Sequence, residues 1–239
     1  LEMPTVKEKA KAVYPDFDGE VKLEADKITV TVKDCVIVFD RGMLKSYTYK
    51  GESLPVENMK MSLYRAPTDN DGIVGLRDER AGDWNSCYLH HAAFSCEHLE
   101  TEQFKEFFRI TASGKTLPPA IFAGFETSVS YDIYSDGSIF VELTGNPYGY
   151  LPNTLPRIGL CFEADSKYNR AEWYGRGELE SYPDRKLSAP FGLYSADVSQ
   201  LNTVYDVPQE TGNHEDTAFL NITDGNGRGI TVAGSNSFS

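Results

Sequence analysis

The chain has 239 residues, 36 of them acidic and 23 basic, for a formal net charge of −13. Nucleic-acid phosphates demand a basic footprint and anionic membrane surfaces attract lysine and arginine, so both are excluded as partners. Hydrophobic residues make up 40%, enough for a substantial core, and the length suits one large all-β domain.

Residues 1–18 carry Lys7, Glu8, Lys9 and Lys11 among few large apolar side chains and read as a linker or disordered lead. They lack the basic start and apolar core of a signal peptide. The β domain is expected over 19–239, with order beginning near Val21. Ile28, Val30 and Val32 alternate with threonines, the period of a half-buried strand. Cys35 to Phe39 is a continuous apolar run that suits a strand buried on both faces. Asp40-Arg-Gly42 and Lys50-Gly51-Glu52 bracket another strand over Met43–Tyr49, and the succession is that of a meander.

From Tyr64 the pattern changes to Tyr-Arg-Ala-Pro-Thr-Asp-Asn-Asp-Gly, ending at Gly72. Pro67 pushes Ala66 toward extended backbone. Asp69, Asn70 and Asp71 favour turns because their short side chains bond nearby amides, and Arg65 lies within reach of those carboxylates. The stretch is a stiff polar corner, either a capped turn with Arg65 as counter-ion or a site aimed by a rigid sheet. Residues 72–82, with Gly72, Gly75 and Gly82 among Arg77, Asp78, Glu79 and Arg80, read as a mobile loop. Asp83 to Leu89 reads as a short helix with Asp83 as N-cap.

Strands return from Ala93 to Gly145. One spans Phe104–Thr111 with Phe108 and Ile110 on one face. Asp136-Gly137 closes a hairpin between Val129–Tyr134 and Ile139–Leu143. Ile158–Phe162 reads as a buried strand, and a last hairpin turns at Asp224–Gly227 between Ala218–Thr223 and Gly229–Ala233. No run of about 18 apolar residues appears, so nothing is expected to span a membrane. Cys35, Cys87, Cys96 and Cys161 show no metal-type spacing and read as free thiols in a reducing, cytoplasmic compartment. Asn221-Ile-Thr223 is a glycosylation sequon by pattern only. The 14 tyrosines and 13 phenylalanines suit broad sheet faces, and the fold expected is an all-β antiparallel sandwich.

The corner with Leu63 and Tyr64 resembles the "FWRAPTDND" signature of the C-terminal domain of β-galactosidases in glycoside hydrolase family 2. Trp173-Tyr-Gly-Arg-Gly-Glu-Leu-Glu-Ser-Tyr-Pro-Asp-Arg-Lys186 resembles that domain's "WYGRGPxENYPDRK", with Glu178-Leu-Glu-Ser181 departing from the usual Pro-x-Glu-Asn. Tyr205-Asp-Val-Pro-Gln-Glu-Thr-Gly-Asn-His214 resembles "YVxPQExGNR/H". The blocks occur in family order and cover most of the chain from about Ile28. The resemblance implies a supersandwich similar to the galactose mutarotase fold. It also implies that the last fifth to quarter of the domain follows Ser239, leaving a sheet edge or face uncovered.

A retaining glycosidase needs two carboxylates roughly 5–5.5 Å apart, and no pair of acids here is singled out by its context. In the resembled family both catalytic glutamates lie on a TIM-barrel domain, so no catalytic residue is expected in this chain. The resemblance implies magnesium and sodium for the complete enzyme, with ligands mostly outside this domain, and no metal site is expected here. The implied partners are the barrel domain or large subunit and a galactoside substrate.

By the same resemblance, Arg65, Asp69, Asn70, Asp71, Gly72, Gly75, Arg77, Asp78 and Arg80 become candidates for a substrate-gating loop, against the alternative of an ordinary solvated loop. Trp173, Tyr174 and His214 are secondary sugar-stacking candidates. A charge-laced turn in which Arg176, Glu178, Glu180, Asp184 and Arg185 balance one another is the favoured reading of the Trp173 block. His214 beside Glu215 is either an acid/base pair of mutarotase type or a hydrogen-bonded surface histidine. The function expected is that of an accessory β-galactosidase domain; the alternative is a stand-alone carbohydrate-binding or mutarotase-like module.

Overall fold

A computed structural model describes residues 13–72, 80–119 and 121–239. The first meander contains β1 (Glu20–Glu24), β2 (Lys27–Val32), β3 (Cys35–Asp40), β4 (Met43–Tyr49) and β5 (Glu52–Ser62). After one short α-helix, α1 (Arg80–Ser86), a second meander follows: β6 (Ala93–Gln103), β7 (Phe107–Leu117), β8 (Gly124–Tyr134) and β9 (Ile139–Tyr148). The last strands are β10 (Gly159–Glu163), β11 (Arg170–Arg176), β12 (Phe191–Asp197), β13 (Thr217–Thr223) and β14 (Gly229–Phe238). They form three antiparallel sheets, ordered β1-β2-β3-β4-β5-β10, β6-β7-β8-β9 and β12-β11-β13-β14. The all-β antiparallel expectation is met.

The first two sheets share one core. Ile28, Val30, Ile37, Phe39 and Leu44 from the first meet Ile110, Val129, Tyr131 and Ile133 from the second, all almost fully buried. Turns set this register. Arg41 and Gly42 take φ values of +47° and +76°, and Lys50 and Gly51 take +51° and +80°, the left-handed pairs that a two-residue hairpin requires. A Cβ on Gly42 would also stand 2.3 Å from Ala112 Cβ on the facing sheet. Glycine there serves both the turn and the packing.

Several sequence expectations change. The Cys35–Phe39 run is buried in alternation, with Cys35, Ile37 and Phe39 inside and Val36 and Val38 only half-covered, because among the described residues only one face of the strand packs on the core. Ile158 is 65% exposed and β10 is half-buried; it is an edge strand, since its one ladder is to β5. The helix covers Arg80–Ser86, not Asp83–Leu89, so Asp83 sits inside its first turn rather than at its cap. Residues 104–106 are the turn before β7. Within the lead, Tyr14 stacks on Tyr134 at 3.9 Å. Phe17 N–H bonds Lys105 O at 2.7 Å, and Asp18 N–H bonds Ser135 Oγ at 2.7 Å, so the chain is anchored to the second meander before Val21.

Candidate functional site

The polar corner forms where β5 ends, over Leu63–Gly72. Thr68 precedes a single 3-10 turn at Asp69–Asp71, and Gly72 closes it in left-handed backbone with its N–H on Asp69 O. Asp71 points inward: its carboxylate accepts from Arg65 Nη1 at 2.7 Å and from Thr68 N–H and Oγ1 at 2.8 Å each. Burial acts to raise the Asp71 carboxyl, but the bonds from Arg65 and Thr68 outweigh it and hold the group below its ordinary value. The Arg65 guanidinium also lies over the ring of buried Trp84 on α1, 5.3 Å from its centroid. Trp84 Nε1 in turn donates to Thr154 O at 2.9 Å. Asp71 and Arg65 are therefore the frame of the corner.

The three sequence blocks meet here. Asp69 N–H donates to Gln209 Oε1 at 3.2 Å, and Ala66 N–H donates to Glu210 Oε2 at 3.1 Å. Asn70 Nδ2 donates to Asp184 Oδ2 at 2.6 Å. Together they border a polar cleft of about 470 Å³ that also involves Arg80, Tyr182, Arg185 and Tyr205. Burial, with Glu180 and Glu210 nearby, pushes the Tyr182 phenol up to about 12. Arg80 lines the cleft, whereas Gly75, Arg77 and Asp78 lie outside the described residues.

Glu180, placed in the sequence only among a set of mutually balancing charges, is the hub beneath this cleft. It is 4% exposed and accepts from Tyr205 Oη, from Gly212 N–H at 2.9 Å and from Arg185 Nη1 at 3.3 Å. Burial raises its carboxyl, but the bonds from Tyr205, Gly212 and Thr203 prevail and hold it low. Arg176 does not share this cluster. It pairs with Asp216 at 2.6 Å and donates to Lys186 O and Ala189 O. Of the five charges expected to balance one another, Arg185 and Glu180 pair, whereas Arg176 turns to Asp216 and Asp184 to Asn70.

Trp173 and His214 come together, their rings 4.4 Å apart, with Trp173 buried and His214 half-buried at the edge of an apolar pocket. Trp173 is 3% exposed with Nε1 donating to Arg176 O at 2.9 Å. His214 Nδ1 sits 3.0 Å from the same carbonyl, and burial lowers its imidazole below the ordinary value; the neutral ring donates from Nδ1. Glu215, the expected acid/base companion, is paired with Lys186 at 3.2 Å. In this geometry His214 and Glu215 form no dyad. Tyr174 points to the opposite, exposed face of β11. Trp84, Tyr182 and Tyr205 were not singled out in the sequence, although Tyr182 and Tyr205 lie within the motif blocks.

Among the described residues no group of three or more His, Cys, Asp or Glu side chains is placed to hold a metal ion. The four cysteines are unpaired, and no described helix is long and apolar enough to cross a membrane.

Comparison with known proteins agrees with the three blocks. The family described as "Beta galactosidase small chain" matches residues 31–239. A beta-galactosidase of Kluyveromyces lactis is 34% identical over 225 residues, covering 87% of this chain and 21% of that protein. One from Priestia megaterium is 30% identical over 236 residues, covering 97% and 21%. One from Halalkalibacterium halodurans is 32% identical over 222 residues, covering 90% and 21%. The chain spans about a fifth of the length of these relatives.

Proposed function

The chain belongs to the beta-galactosidase small-chain family, and from that premise we propose that it is an accessory domain of a β-galactosidase. The whole enzyme would hydrolyse terminal β-D-galactose from lactose-like substrates with retention. This domain would shape the mouth of the active site while the catalytic glutamates come from a TIM-barrel domain or large subunit. The observation that carries the reading is the convergence of all three sequence blocks on one exposed polar cleft, held by the Arg65–Asp71 frame and the Glu180 hub.

The pairing of the buried acids supports an accessory role. Asp71, Glu180, Asp132 and Asp216 are each committed to a cation at hydrogen-bond distance, and Glu210 is taken by Arg157 and Ala66 N–H. A nucleophile needs a free carboxylate oxygen and an acid/base partner facing it. We also propose that the magnesium and sodium implied for the complete enzyme sit on its other domains. The face-to-face β-sheet packing suits a galactose mutarotase-like supersandwich, and the unpaired cysteines suit a cytoplasmic setting.

The test is steady-state hydrolysis of lactose by the complete enzyme carrying Asn70→Ala or Asp184→Ala, the pair that crosses the cleft at 2.6 Å. A cleft at the mouth predicts a KM increase of about three- to tenfold with folding retained. Unchanged kcat and KM in both variants would reduce the domain to a spacer.

A further inference from the structure

The sheet β12-β11-β13-β14 turns Ala171 and Trp173 inward on one face, beside half-covered Leu220 and Ile222, and exposes the other. Its antiparallel register aligns side chains across the exposed face in rows. Tyr174 stands opposite Leu193 on one side and Phe219 on the other. Tyr174 is 38% and Leu193 is 62% exposed. The rings of Tyr174 and Phe219 lie within 21° of parallel, 6.2 Å apart, and Phe191 buttresses Tyr174 edge-on at 4.7 Å. The neighbouring row is polar. Glu172 faces Asn221, and Asn221 faces Thr231. Thr231 Oγ1 donates to Asn221 Oδ1 at 2.7 Å, and Asn221 Nδ2 donates to Glu172 Oε1 at 2.9 Å.

This polar ladder orients Asn221 and ends on a carboxylate. Among the described residues Glu172 has no cation within ion-pair distance; Arg170, two positions away on the same face, is turned to Asp197 and Ser195. Covering this face with another protein's apolar surface would bury an unpaired anion, which costs several kcal/mol. A saccharide meets both rows without that penalty. The C–H face of a pyranose lies on aromatic rings, and its vicinal hydroxyls donate to a carboxylate whose one hydrogen-bond partner among the described residues is Asn221.

We propose that this face is a carbohydrate-binding surface, separate from the cleft at the corner, that takes a hexose ring or a short galactoside on Tyr174 and Phe219 with its hydroxyls on Glu172 and Asn221. The assignment stands on this sheet alone and does not depend on the corner shaping an active site.

The experiment is a titration of the full chain with lactose, followed by amide ¹H–¹⁵N NMR. Saturable shifts centred on Glu172, Tyr174, Phe219 and Asn221 are expected, with binding about tenfold weaker in Tyr174→Ala and separately in Glu172→Gln. Both side chains lie on the exposed face, and an unchanged melting temperature verifies that the variants fold. Asn70→Ala at the corner should leave this binding intact, which separates the two sites. The proposal is overturned by any of three results: no saturable shift up to high-millimolar lactose, shifts confined to the corner or to His214, or a dimer that Tyr174→Ala dissolves.

Discussion

Removing either member of the Arg65–Asp71 pair should cost more than any surface ion pair in the chain. The two side chains are 17% and 5% exposed and 2.7 Å apart. Asp71→Ala strands the Arg65 guanidinium against protein, at a cost of about 3–5 kcal/mol, and frees Thr68 N–H, at about 1 kcal/mol more. Arg65→Ala strands the Asp71 carboxylate and loses the contact with the Trp84 ring, about 0.5–1 kcal/mol. Both costs lie below the middle of the roughly 5–15 kcal/mol range typical of folded domains, so the singles should still fold. In the double variant no charge is left unpaired, so its cost should fall short of the sum of the singles by roughly 2 kcal/mol. Urea unfolding followed by tryptophan emission measures all three, with Trp84 reporting on the corner. Single costs below about 0.5 kcal/mol, or a double that adds within about 0.5 kcal/mol, would refute the corner as a buried electrostatic frame.

Gly175→Ala would set a Cβ 2.8 Å from Thr217 Cα, whereas Gly225→Ala meets nothing within 4 Å. The first should lose about 1–3 kcal/mol in urea unfolding and the second much less. The His214 imidazole is held below 6.5 in the fold, so the unfolded chain takes up the proton first. Stability should be full above that value and decline as pH falls from about 7 toward 5, and His214→Gln should flatten that slope in thermal melts. Asp71, Glu180 and Asp216 are held below their ordinary values of 3.8 and 4.5. Their contribution is complete above those values and disappears as pH drops further, giving a second, steeper loss below about pH 4.

Much of the fold was legible because local chemistry and tertiary structure agree. Asp136-Gly137 demanded a hairpin, and Gly137 takes φ +91° with its N–H on Tyr134 O. The alternation in Ile28–Val32 matched a strand with one buried face. Burial failed where it depends on a second layer: Cys35–Phe39 and Ile158–Phe162 are equally apolar runs, yet one is central and the other an edge strand. The helix shifted by three residues because Trp84, not Asp83, fixes it, through Arg65 on one side and Thr154 on the other. At the corner, the turn and its Arg65 counter-ion followed from residue types. The Glu180 hub did not, because its partners Tyr205 and Gly212 are 25 and 32 residues away, and no local pattern encodes that closure. Trp173 looked like a sugar platform by residue type; its burial against His214 is a property of the sheet's inner face.

The central claim is that this domain frames a cleft for acids held elsewhere. A 2-deoxy-2-fluorogalactoside traps the galactosyl–carboxylate intermediate of a retaining enzyme, so labelling the complete enzyme and sequencing its adducted peptide by mass spectrometry tests that claim most directly. The account predicts the sugar on a glutamate outside these 239 residues; an adduct on any aspartate or glutamate within them would contradict it.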